Sequence, residues 1–192
     1  MRAFLCLLML VLPLAARESP EEILAPLPAK FAGCEKTDYH AYEPAGLGGS
    51  VSYKVPGLVV TVYAYDLGKE NITDKLDDPA LREAFDNARA ELNAALKQGM
   101  YTEVTDRNPE DRRSAFGTLR AAFRVVRAKG ADAGVPLFSE IHVFGAHGHI
   151  IKFRVSGEIE NEKELRKVLD ELLPKIRTTL APDVKKPAPK AK

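Results

Sequence analysis

Two stretches of this chain repeat their apolar residues every three to four positions and nearly everything between them alternates, so the fold must join amphipathic helices to half-buried strands. The first helical stripe is Leu81, Ala84, Phe85, Ala88, Leu92, Ala95 and Leu96, opened by Asp78 as a cap with Pro79 in the first turn and stopped at Gly99. The second starts at Asn161, with Glu164 three residues on as in a capping box, and runs through Leu165, Val168, Leu169, Leu172, Leu173, Ile176 and Leu180. Pro174 should bend it, because its ring removes a backbone donor and crowds the carbonyl four residues back.

The alternating segments are Cys34–Glu43, Ser50–Val55, Leu58–Asp66, Tyr101–Asp106, Thr118–Lys129, Leu137–Gly145 and His149–Ser156. Gly46-Leu47-Gly48-Gly49, Pro56-Gly57, Gly117, Gly130, Gly134-Val135-Pro136 and Gly148 fall between them. The expected fold is therefore α+β: an antiparallel sheet of about seven strands with two long helices, in the order βββ-α-ββββ-α.

Two hairpins can be read to the side chain. In the first, Val51, Tyr53 and Val55 should face Val62, Val60 and Leu58. In the second, a three-residue loop Ala146-His147-Gly148 would pair Val143 with Ile151 and Ile141 with Phe153, leaving Glu140, His142, Lys152 and Arg154 on a polar face. Thr118–Lys129 likewise sets Arg120 and Arg124 opposite Leu119, Ala121, Phe123 and Val125. These patterns predict a sheet with one face under helices and the other polar.

The ends have a different character. Met1-Arg2, an apolar run from Ala3 to Leu12, then Pro13-Leu14-Ala15-Ala16 and a charged stretch read as a secretory signal peptide over residues 1–16, cut after Ala16 or Ala15. The run is too short to span a bilayer and no second run of that length follows, so no transmembrane span is expected after processing. Cleavage removes Cys6 and leaves Cys34, which rules out an internal disulfide and reads as a buried core thiol or as one half of a disulfide between chains. Residues 17–30 look like an extended lead-in with one helical turn near Glu21, and residues 31–181 like a single domain. The last eleven residues hold three prolines and four lysines and read as a disordered tail suited to weak contact with anionic lipids or wall polymers.

Leu47-Gly48-Gly49-Ser50-Val51-Ser52-Tyr53, followed by Thr61-Val62-Tyr63-Ala64-Tyr65-Asp66-Leu67-Gly68, resembles a group of exported proteins of Gram-negative bacteria that has no assigned activity. The likeness covers most of residues 31–157, including Ile151-Lys152-Phe153-Arg154, and implies export and a shared domain but no chemistry. The order of strands and helices also resembles the antiparallel α/β sandwich of the PsbP type, an analogy of fold alone.

The chain carries 28 basic and 27 acidic residues, which excludes the strongly cationic field of a nucleic-acid-coating protein. No nucleic-acid partner and no cofactor are expected. His142, His147 and His149 fall within eight residues, but the expected hairpin scatters them, so they predict no metal site. No Ser-centred elbow, paired-carboxylate spacing or zinc-hydrolase motif occurs, and no catalytic residue is assigned. Arg120, Arg124, Lys152 and Arg154, with His142, Tyr63 and Tyr65, remain as a candidate ligand-binding surface for an anionic small molecule or an acidic protein partner. Arg120→Ala there should leave the fold intact. The resulting expectation is a periplasmic or secreted binding or accessory domain without catalysis. Its alternatives are an envelope-associated hydrolase using the polar sheet face, or an envelope structural or stress factor.

Overall fold

The computed structural model describes residues 17–44, 46–108, 113–130 and 133–182. The expected signal segment 1–16 and residues 183–192 of the expected tail lie outside them. The elements are α1 (Pro20–Leu24), β1 (Lys30–Phe31), β2 (Cys34–Lys36), β3 (His40–Ala41), β4 (Gly49–Val55), β5 (Leu58–Tyr65), α2 (Pro79–Lys97), β6 (Tyr101–Asp106), β7 (Leu119–Arg127), β8 (Pro136–Ala146), β9 (His149–Glu158), a single 3-10 turn (Ile159–Asn161) and α3 (Glu162–Leu180). The fold is α+β. Its antiparallel sheet runs β1-β2-β4-β5-β9-β8-β7-β6, with β3 also paired to β4.

Among the described residues the sheet has nine strands rather than seven, because Cys34–Glu43 breaks in two and Lys30–Phe31 adds a short edge. The break has a local cause. Ser52 N–H donates to the Thr37 hydroxyl at 2.9 Å, so a side chain replaces the backbone acceptor between the stretches paired to either end of β4. Residues 17–30 are also more than a lead-in. The capping box expected at Asn161 is found instead at Ser19, whose side chain accepts from Glu22 N–H while the Glu22 carboxylate accepts from Ser19 N–H. It holds a short helix that buries Ile23 and Leu24, with Leu27 just beyond. At α3, Asn161 gives no side-chain cap, and its amide donates to Glu158 at 3.0 Å. Helix α2 matches its expected signals, with the Asp78 carboxylate accepting from Ala80 N–H and Gly99 in the left-handed region just past its end.

The β4–β5 hairpin has the expected register, Val51 facing Val62 and Tyr53 facing Val60. The β8–β9 hairpin does not. Its loop has two residues, His147 and Gly148, both at positive φ, and Ala146 pairs with His149. Val143 thus faces Lys152, His142 faces Phe153 and Phe144 faces Ile151. The expected register assumed one polar face, whereas both faces of the sheet carry apolar cores. Phe138, Phe144, Ile151, Phe153 and Val155 join Val60 and Val62 under α1 and α3. Leu119, Ala121, Phe123, Ile141, Val143 and Ile150 join Leu81, Phe85 and Leu92 of α2 on the other face. With apolar material needed on both sides, alternation no longer distinguishes inside from outside.

Candidate functional site

The shifted register divides the expected surface. Arg120, Arg124 and His142 point to the α3 side, and Tyr63, Tyr65, Lys152 and Arg154 to the α2 side. The seven residues do not form one patch.

On the α3 side the charges are spent on each other. Glu140 is 2% exposed and His142 1%. Arg120 and Arg166 both reach Glu140 Oε1, Arg166 at 2.7 Å, while Glu140 Oε2 lies 3.0 Å from His142 Nε2. Burial alone would raise the Glu140 carboxyl, but the hydrogen bond from His142 and the two guanidinium groups outweigh it and hold it far below the usual carboxylate range. An ionised carboxylate only accepts, so His142 Nε2 is the donor and its Nδ1 accepts from Thr118 Oγ1 at 2.9 Å. Thr118 Oγ1 in turn lies 2.8 Å from Ser114 Oγ. Phe116 stacks over the imidazole with ring centroids 5.2 Å apart, and Phe153 lies on its other flank. A cavity of about 420 Å³ lined by Ser114, Phe116, Arg120, Arg166 and Pro174 opens above this chain of hydrogen bonds. Arg124 lies apart, in an ion pair with Glu103.

On the α2 side the arrangement is the opposite. Strands β5 and β9 set Tyr63 against Lys152 and Thr61 against Arg154 on the same face. Helix α2 packs over β6 and β8 and touches β9 only marginally, so cover thins along the strand: Tyr65 is buried, Tyr63 and Thr61 are half-buried and Val59 is exposed. Lys152 and Arg154 are half-buried, and among the described residues neither forms an ion pair or a side-chain hydrogen bond to a protein acceptor. Arg107, Arg120, Arg124 and Arg166, by contrast, are each paired to a carboxylate. Lys152 Nζ lies 4.8 Å from the Tyr63 ring centroid and 5.5 Å from that of Tyr65. Burial lowers its pKa, Glu91 on α2 pulls it back up, and Arg154 lowers it again.

Two cavities share this face. One of about 280 Å³ is lined by Tyr42, Leu47, Tyr63, Tyr65, Leu67 and Lys152, with Ala84, Asn87 and Glu91 from α2. The other, about 420 Å³, holds Arg154, Thr61, Ser156, Tyr101, Arg127 and Glu158. Tyr42, Leu47, Leu67 and Glu91 escaped the sequence reading, since they come from loops and a helix that only tertiary folding brings to β5. The glycine segment before β4 was legible as a turn, and it is one: a Cβ on Gly48 would lie 1.9 Å from the Ala64 carbonyl oxygen.

The remaining candidates stay apart. His147 Nδ1 lies against the Glu18 carboxylate and its Nε2 is 2.9 Å from the Leu180 carbonyl, whereas His149 Nδ1 bonds the His147 carbonyl. His40 stands beside β4 at the opposite side of the sheet from β8. Among the described residues no three His, Cys, Asp or Glu side chains gather as metal ligands. Cys34 is buried, which pushes its thiol up and away from the reactive thiolate. No described helix is long and apolar enough to cross a membrane. Comparison with known families, curated proteins and solved structures finds no match to this chain.

Proposed function

We propose that the protein is an exported binding domain, working in the periplasm or outside the cell, that takes an anionic ligand on the β5–β9 face beside α2. The observation that carries this reading is the pair of unpartnered cations. A half-buried ammonium and guanidinium that reach no carboxylate at ion-pair distance among the described residues cost stability, and a ligand carboxylate or phosphate would relieve both at once. Tyr63 and Tyr42, stacked with centroids 6.2 Å apart, and the Ser52–Thr61 hydroxyl pair at 2.9 Å supply a rigid, hydrogen-bonding surround.

Catalysis at the α3 side is the weaker reading. His142 is closed in by Phe116 and Phe153, and a proton leaving Ser114 would have to pass through the buried Thr118 hydroxyl to reach it. Glu140 and His142 therefore read as a polar clasp between β7, β8 and α3.

The test is a titration of 15N-labelled protein with inorganic phosphate and with acetate. Amide shifts should gather at Thr61, Tyr63, Lys152 and Arg154, weaken as salt is raised, and vanish in K152Q/R154Q. Shifts that ignore the double variant, or that fall on the α3 side, would sink the reading.

A further inference from the structure

The loops that frame the smaller cavity are built to hold apolar side chains out of the core. Leu47 and Leu67 are each 43% exposed, and from two neighbouring loops they line the cavity beside the tyrosines. Those loops are stitched together: the Gly46 carbonyl accepts from Leu67 N–H at 2.8 Å and from Asp66 N–H at 3.3 Å. Gly48 lies too close to Ala64 for any side chain, which fixes the loop that carries Leu47. Leu67 itself adopts φ 54°, a left-handed conformation that a leucine enters at a cost. Two leucines kept in solvent by a strained residue and a glycine-locked turn line the same cavity as the Lys152 ammonium, and so set apolar surface beside a charge.

We infer that the ligand of this face is an amphipathic anion: its carboxylate or equivalent group lies between Lys152 and Arg154, and its hydrocarbon part lies over Tyr42 and Tyr63 between Leu47 and Leu67. This rests on the anion-binding reading above and narrows its ligand class. Lys152 is recessed among Tyr63, Tyr65 and α2, where a single extended molecule reaches it and a flat bilayer surface does not. The cavity of about 280 Å³ sits at the small end for ligand pockets, which favours a short acyl or single-ring group. Each methylene buried there should raise affinity about fourfold.

Calorimetry and NMR on the purified protein with acetate, octanoate and 1-octanol test this, beside K152Q/R154Q and L47S/L67S, both checked for unchanged thermal melting. Octanoate should bind at least tenfold tighter than acetate or 1-octanol, and L47S/L67S should remove most of the gain over acetate. Equal binding of acetate and octanoate at Lys152 and Arg154 would overturn the amphipathic ligand while leaving the anion site standing. Octanoate binding unaffected by K152Q/R154Q would overturn both. Binding to phosphatidylglycerol vesicles without binding of octanoate would replace the free amphiphile by a membrane surface and overturn the inference too.

Discussion

Glu140 shows how much one side chain's meaning depends on its neighbours. By alternation it belongs on a solvated strand face, where a charge contributes little; in the fold it is buried beneath Arg120, Arg166 and His142. Removing its charge takes the carboxylate from Arg120 and leaves Arg166 with Glu162 alone, so Glu140→Gln should cost about 3 kcal/mol by chemical denaturation. Arg120→Ala, expected from the pattern alone to be neutral, should likewise destabilise. The cluster also makes stability depend on acidity. His142 is pushed below its ordinary value of 6.5 by burial, so the unfolded chain binds the proton first and the contribution of neutral His142 fades as pH falls below about 6.5. Glu140 is depressed as well, so its contribution is present above its ordinary value of 4.5 and fades below that. Urea midpoints should hold steady above pH 7 and drop between about 6.5 and 5. His142→Gln should flatten that drop in part, the remainder coming from His149, which burial also depresses.

At the scale of elements, the helices were the most legible features and the strands the least. The stripe of α2 could be read because a cap, a first-turn proline and a terminal glycine all agree with one apolar face. Phe85 and Leu169 are buried on opposite sides of the sheet, so Phe85→Ala and Leu169→Ala should each cost about 2–5 kcal/mol, while Lys97→Ala on the exposed face should be nearly neutral. Leu24→Ala should cost as much as either, although its segment announces no more than one helical turn, because it is buried in the α3-side core. A similar loss at all four positions, measured by thermal and urea unfolding, would mean that the faces are misassigned. The β8–β9 turn carried an ambiguous signal, since Ala146-His147-Gly148 suits a three-residue loop and His147-Gly148 alone suits a two-residue one. Packing decided for the latter, placing Phe144 and Phe153 edge to face at 5.3 Å in the core.

At the scale of the molecule, a sheet clad on one side by α1 and α3 and only partly on the other by α2 leaves an open strip over β5 and β9. That strip is where the proposed function is placed, and its incomplete cover leaves Lys152 and Arg154 without an ion-pair partner among the described residues. The proposed export has its own measurement. Mass spectrometry of the protein recovered from the periplasm of an expressing Gram-negative cell should find its N-terminus at Arg17, whose guanidinium is held by Asp66 at 3.0 Å and by the Lys69 and Gly148 carbonyls. An intact Met1, or a lipid on Cys34, would contradict it.

From the sequence by itself came the α+β class, the extents of the two long helices and the first hairpin's register. Each rests on contacts between residues close in the chain or on a strong local period. Tertiary structure alone decided that both sheet faces are covered, that the second hairpin closes in two residues, and that the seven candidate side chains divide between two sides. The physical reason is that a strand's period of two tells which residues share a face but not what that face meets. Whether Arg120 finds Glu140 while Arg154 finds no carboxylate among the described residues depends on where α2 and α3 settle, and that is set by contacts between elements far apart in the chain.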